Sequence, residues 1–128
     1  MPKSMRTPLK AVRRLGSAKE GSDHFWKQRL TGVANIILMP LLVLLVVGLS
    51  GAEFTEVKRT LAHPVVAVIL LLALLSSLVH MRLGMQTIIE DYVHADRQKV
   101  PLLMFNTFFV FFIGAISIWA LLKLSFGA

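Results

Sequence analysis

The chain has 128 residues, of which 55% are hydrophobic, carries a net charge of +7 and contains no cysteine. The lack of thiols excludes a disulfide, a thiolate-bound iron–sulfur cluster and a cysteine-ligated zinc, so any redox centre needs histidine or other ligands. Three uncharged runs, 30–52, 60–81 and 100–122, each exceed the roughly 20 residues that cross a bilayer. The sequence therefore predicts an all-α integral membrane protein with three transmembrane helices and too few other residues for a soluble domain.

The amino-terminal extension, residues 1–20, is polar and basic and precedes a membrane domain over residues 21–128. The basic side chains ahead of the first run are Lys3, Arg6, Lys10, Arg13, Arg14, Lys19, Lys27 and Arg29. Because basic segments stay on the cytoplasmic side, we expect a cytoplasmic extension and a carboxyl terminus on the opposite side. This rule explains the charge, so nucleic acid is not expected as a partner. We expect a bacterial inner membrane, with the mitochondrial inner membrane as the alternative because the extension resembles a targeting peptide.

The first predicted span covers residues 28–50, and a short charged connection over residues 50–60 follows it. Phe25 and Trp26 precede the span, where aromatic residues commonly mark a membrane interface. Pro40 lies within the span and has no backbone N–H to donate, so a bend is expected there.

The second and third predicted spans cover residues 62–92 and 100–124, with a polar turn over residues 93–99 between them. Pro64 and Pro101 stand near the starts of these spans, where the missing N–H of proline is harmless. We therefore expect both prolines in the first turn of their helices.

One side of the second span carries small and polar side chains. At helical spacing this side contains Ala73, Ser76, Ser77, His80, Gly84, Thr87 and Asp91. An ionisable group at membrane depth usually faces protein, water or a cofactor rather than lipid. His80 is therefore the leading candidate for a functional residue.

His80 has two interpretations. It is either a structural histidine that hydrogen-bonds between helices, or its neutral imidazole is an axial ligand of a haem iron. In the second interpretation Gly84 would clear space for the macrocycle, and Ser76 and Ser77 would orient the imidazole. No other histidine lies at this depth, so a second haem ligand would come from another chain.

Tyr92 and Asp91 stand near the cytoplasmic end of the second span. They are either ordinary interfacial groups or a quinone site, in which the phenol donates to a quinone carbonyl and the carboxylate relays protons. Arg29, at the matching depth of the first span, is either a topology-setting cation or the partner of a haem propionate or of the quinone pocket. Three further histidines are interpreted as structural or solvated: His24, His63 and His94.

The segment His80-Met-Arg-Leu-Gly-Met-Gln-Thr-Ile-Ile-Glu-Asp-Tyr-Val resembles the H-x(3)-G-M-x(5)-D-Y-[VI] segment of a known family. That family comprises the small hydrophobic membrane anchors of succinate dehydrogenase, respiratory complex II. The opening of the first span, from Gly21 through Arg29-Leu-Thr-Gly, is similar to the family's opening. The resemblance covers nearly all of the chain beyond residue 20.

The resemblance implies a role for each site residue. His80 falls on the family's haem b ligand, whose partner ligand comes from a sister membrane-anchor subunit. Tyr92 falls on the tyrosine that hydrogen-bonds ubiquinone, and Asp91 falls on its acidic neighbour. Arg29 falls on an arginine near the haem propionates and the quinone pocket, and His24 lies one place away from a family histidine in that neighbourhood.

The resemblance also implies a function for the chain as a whole. The chain would be a subunit of succinate:ubiquinone oxidoreductase that is not catalytic alone and that holds the flavoprotein and iron–sulfur subunits at the membrane. Two alternatives without a redox role are a small transporter component and a structural or assembly protein. Transport is disfavoured because the spans hold no acidic residue at mid-depth.

Overall fold

The computed structural model describes Thr7, Leu9 and residues 20–126, and its described residues form helices joined by short connections, without a strand. Over residues 20–126 the helices are α1 (Glu20–Gly48), α2 (Phe54–Leu61), α3 (Pro64–Tyr92) and α4 (Asp96–Phe126). The prediction of an all-α fold is confirmed. The basic extension lies almost entirely outside the described residues.

Helices α1, α3 and α4 are long and apolar enough to cross a membrane. They contain 29, 29 and 31 residues, and a 29-residue helix is about 43 Å long, against about 30 Å of hydrocarbon. Large apolar side chains are exposed on all three helices, among them Leu30, Ile36, Val65 and Phe111. Lipid or protein must cover such a surface, and three spans are therefore confirmed.

Helix α3 is the middle of the arrangement. Helices α1 and α4 each pack against α3, and within the described residues they do not pack against each other. The buried residues lie on α3 and α4. Helix α1 contributes only half-buried or exposed side chains to its contact with α3. The contact between α3 and α4 is therefore the more buried of the two.

The contact between α3 and α4 combines one polar bond with one close approach. The Asn106 side chain donates from Nδ2 to the backbone oxygen of Arg82 at 3.0 Å. Eight residues along α4, a Cβ added at Gly114 would lie 3.0 Å from Leu78 Cδ1. Small residues let membrane helices approach closely, and a buried amide finds its partner on the facing helix.

The short charged connection after α1 contains a helix. Gly51, with φ of +82°, turns the chain, and α2 then runs over Phe54–Leu61 and packs on α3 and α4. Glu56 lies in the first turn of α2 and Arg59 in the last, which is the favourable arrangement for the helix dipole. The predicted short charged connection over residues 50–60 is thus helical for most of its length.

Two helices begin earlier than the predicted spans. Helix α1 begins at Glu20, ahead of the span predicted from residue 28, and α4 begins at Asp96, ahead of the span predicted from residue 100. Pro101 consequently lies inside α4, so the expectation that it opens the helix is wrong. Pro64 does occupy the first turn of α3, as expected. Helix α1 continues through Pro40 without interruption.

Candidate functional site

His80 lies at the contact between α1 and α3, where its imidazole is half-buried. Its Nδ1 is 3.1 Å from the hydroxyl oxygen of Thr31 on α1. One turn earlier on α3, the Ser76 hydroxyl donates to the backbone oxygen of Thr31 at 3.2 Å. Two side chains of α3 therefore hold the same residue of α1, one through its side chain and one through its backbone.

Two glycines lie at the contact between α1 and α3 at this level. A Cβ added at Gly32 would lie 3.4 Å from His80 Cε1, and one added at Gly84 would lie 3.3 Å from Gln28 Nε2. Each helix thus places a polar side chain over a glycine of the other. Gly84, whose missing side chain is expected to clear space for a macrocycle, has the Gln28 amide of α1 beside it.

The predicted serine partners of the imidazole bond elsewhere. Ser77 donates to the backbone oxygen of Ala73 at 2.7 Å, within its own helix, and Ser76 bonds the backbone of Thr31. The expectation that Ser76 and Ser77 orient the ring directly is therefore wrong. The side chain that contacts Nδ1 is that of Thr31, a residue that the pattern on the second span does not identify.

A polar stripe along α1 is the signal that would have led to Thr31. The stripe consists of His24, Gln28, Thr31 and Asn35, which recur at steps of three and four residues and so share one face. Three of its atoms are buried without a hydrogen-bond partner: His24 Nε2, Gln28 Oε1 and Asn35 Oδ1. Buried polar atoms usually have a hydrogen-bond partner in a folded protein, so the polar stripe of α1 can form further hydrogen bonds.

Tyr92 and Asp91 lie at the carboxyl end of α3, and both are exposed. The Tyr92 side chain is 78% exposed. Twelve residues separate Tyr92 from His80, which is about 18 Å along the helix axis. The structure therefore places the imidazole and the phenol at two separate levels of the same helix.

Arg29 stacks its guanidinium over the Phe25 ring, with Cζ 4.1 Å from the ring centroid. Two residues of helix rotate by about 200°, so Arg29 leaves α1 on the side roughly opposite to Thr31. Along the helix axis, however, it is only about 3 Å from the level of Thr31 and His80. Arg29 is therefore level with the imidazole, and its side chain is exposed.

The other histidines occupy different positions from His80. His63 directly precedes α3 without making a side-chain capping bond, His94 lies in the connection before α4, and both are exposed. Within the described part of the chain, no group of three or more His, Cys, Asp or Glu residues could hold a metal ion. Among the described residues, His80 therefore belongs to no such group.

A family model agrees with this membrane architecture. The model described as succinate dehydrogenase/fumarate reductase transmembrane subunit matches residues 3–115. The chain belongs to this family. As a member of the transmembrane-subunit family, it is a membrane-embedded, multi-pass protein, and the resemblance noted from the His80–Tyr92 segment is confirmed.

Several curated relatives of this transmembrane subunit are named succinate dehydrogenase hydrophobic membrane anchor subunit. The relative from Paracoccus denitrificans is 30% identical over 122 residues, which cover 95% of this chain and 94% of the relative. The relative from Rickettsia bellii is 29% identical over 104 residues, 81% of this chain and 83% of the relative. The relative from Rickettsia conorii is 31% identical over 90 residues, 70% of this chain and 71% of the relative. No solved structure matches the chain with significance.

Proposed function

We propose that this chain is the hydrophobic membrane anchor of a bacterial succinate:ubiquinone oxidoreductase. The observation that carries the proposal is the near full-length similarity to a succinate dehydrogenase anchor, which covers 95% of this chain. In this role the chain holds the flavoprotein and iron–sulfur subunits at the membrane and is surrounded by lipid and a sister membrane-anchor subunit. The exposed apolar surface of its three spanning helices supports this environment.

His80 is proposed to supply one axial ligand of a haem b shared with the sister anchor. The residues fit such a group, since Nδ1 already has a partner in Thr31 and Nε2 bonds none of the described residues. A bound haem supplies a one-electron redox centre at this level of the membrane. A second ligand would come from the sister anchor, since no other histidine of this sequence lies at the depth of His80.

Arg29 is proposed to pair with a propionate of that haem. It is level with His80 along α1, whereas Tyr92 lies about 18 Å from His80 along α3. A guanidinium can bind a carboxylate through two parallel hydrogen bonds, and the Arg29 side chain is exposed, although its guanidinium lies over the Phe25 ring on the side of α1 roughly opposite to Thr31. These positions favour the propionate over a quinone held at Tyr92.

Tyr92 and Asp91 are proposed to bind ubiquinone, which is the substrate of the complex. The phenol would donate a hydrogen bond to a quinone carbonyl, where negative charge develops on reduction, and Asp91 would relay a proton. Both side chains are exposed at a helix end, where the iron–sulfur protein would cover them once docked. Succinate oxidation itself would take place on the partner subunits, because this chain has no cysteine for clusters.

The anchoring role is tested by removing this chain from cells that otherwise make the complex. Succinate oxidation by an artificial dye should then move from the membrane fraction to the soluble fraction. Restoring the chain should return this activity to the membrane. Dye-linked activity that stays in the membrane without the chain would contradict an anchoring role and would favour an assembly or transport component.

A further inference from the structure

We infer that Thr31 is a positioning residue for His80: its hydroxyl fixes the tautomer of the imidazole so that Nε2 is the nitrogen left to bind iron. The inference rests on the proposed ligation of haem by His80. It adds a residue on α1 that determines how the ligand on α3 is presented.

The first step concerns the single hydrogen of the Thr31 hydroxyl. The Thr31 Oγ1 atom lies 2.7 Å from the backbone oxygen of Lys27 and 3.2 Å from that of Gln28. Backbone oxygens only accept hydrogen bonds, and a hydroxyl has only one hydrogen to donate. That hydrogen is therefore directed into the preceding turn of α1, with the shorter bond to Lys27. The Thr31 oxygen can face His80 only as an acceptor.

The second step concerns the imidazole. A neutral imidazole carries one N–H, and the nitrogen that bonds an acceptor must be the one that is protonated. Because Thr31 Oγ1 accepts at 3.1 Å, Nδ1 is the donor and Nε2 keeps its lone pair. This is the tautomer in which metal-binding histidines commonly donate their second nitrogen to a protein acceptor.

The third step concerns the orientation of the ring. Gly32 lies beside the imidazole edge, where an added Cβ would be in ordinary van der Waals contact with Cε1 at 3.4 Å. Ser76, one turn before His80, holds the backbone oxygen of Thr31 at 3.2 Å and so maintains the register of the two helices. Rotating the ring by 180° would replace Nδ1 with a carbon and break the bond to Thr31. The hydrogen bond to Thr31 thus holds the ring in one orientation.

The test uses the purified complete complex with Thr31→Val, which keeps the shape of the side chain and removes the hydroxyl. Thr31→Ser restores the hydroxyl. Thr107→Val is the matched control, because the Thr107 hydroxyl makes the same bond to the preceding turn, at 3.0 Å from the Leu103 oxygen, without a histidine partner. The measurements are haem content per flavin, the low-spin electron paramagnetic resonance signal and the midpoint potential.

Thr31→Val should weaken haem retention by about 10–100-fold, the usual effect of removing the partner of a metal ligand. In the haem that remains, the midpoint potential should become more positive, because an imidazole without an acceptor on Nδ1 donates less electron density to the iron. Thr31→Ser and Thr107→Val should behave as the unchanged complex.

Two results would overturn the inference. Thr31→Val with unchanged haem content, signal and potential would show that the hydroxyl does not position the ring. Equal changes in Thr31→Val and Thr107→Val would show a general effect of losing a threonine hydroxyl from a membrane helix. Failure of the underlying ligation is recognised separately, because His80→Ala would then keep a normal haem spectrum.

Discussion

Asn106 on α4 donates its side-chain amide to the backbone oxygen of Arg82 on α3, and it is a buried polar residue, only 7% exposed. Arg82 lies within the continuous helix α3. Because a carbonyl oxygen has two lone pairs, it can accept the Asn106 bond in addition to a backbone bond within its own helix. The bond joins the two helices two residues beyond His80 in sequence. The position of the candidate ligand therefore depends on α4 as well as on α1.

Asn106 should tolerate an apolar residue better than a charged one. Asn106→Leu removes one interhelical hydrogen bond, at a cost of about 1 kcal/mol in a membrane protein. Asn106→Asp has nearly the same shape but places a carboxylate against a backbone oxygen, which should cost about 3 kcal/mol. Thermal unfolding of the detergent-solubilised complex would measure both. Equal stability of the two variants would mean that the buried amide bond is absent in the complex.

Gly114 should not tolerate a branched side chain. An added Cβ would already lie 3.0 Å from Leu78 Cδ1, so Gly114→Val should overpack the contact between α3 and α4 and cost about 1–3 kcal/mol. Gly48→Val is the control, since nothing lies within 4 Å of a Cβ added at Gly48. The yield and melting temperature of the assembled complex would distinguish the variants. A similar loss in both would point to a general cost of valine in place of glycine.

The parts of the fold that could be predicted from the sequence are those set by the membrane. Crossing hydrocarbon requires an uninterrupted apolar run, and this requirement alone locates α1, α3 and α4. Helix ends lie in polar surroundings, where no such requirement applies, so the apolar runs do not predict the early starts at Glu20 and Asp96. A search for apolar runs does not detect helix α2, because its eight residues have neither the length nor the apolar character of a span.

The candidate site could be predicted only in part. The stripe around His80 correctly predicts which side of α3 contacts another helix. It can do so because the spacing of residues along one helix determines which of them share a side. Which residue of α1 reaches Nδ1 depends on the level at which the two helices cross, and in this structure that residue is Thr31. The contact between Thr31 and His80 joins two helices, and the spacing of residues within one helix does not predict it.

His80→Ala should remove or severely weaken haem binding by the complex. The imidazole is the one proposed ligand in this chain, and alanine has no atom that binds iron. The reduced-minus-oxidised visible spectrum of the intact complex would report the b-type haem. A normal low-spin spectrum would contradict the assignment and return His80 to the structural interpretation, in which its bond to Thr31 serves only to join α1 and α3.

The two termini should lie on opposite sides of the membrane. Three spans reverse the direction of the chain, and the basic residues before α1 favour a cytoplasmic amino terminus. Reporter proteins fused separately to the two ends, one active only inside and one active only outside, should give opposite results. The same result at both ends would mean that one of the three long helices does not cross.

Tyr92→Phe should separate quinone chemistry from anchoring. The change keeps the ring and deletes the hydroxyl, and the side chain is 78% exposed at the end of α3, so folding and assembly should be retained. Removing one hydrogen-bond donor to developing negative charge should lower quinone reduction by about 10²-fold. Succinate oxidation by an artificial dye, measured in the same membranes, should remain unchanged. Equal retention of both activities would make Tyr92 an ordinary interfacial residue, and equal loss would indicate that the complex had failed to assemble.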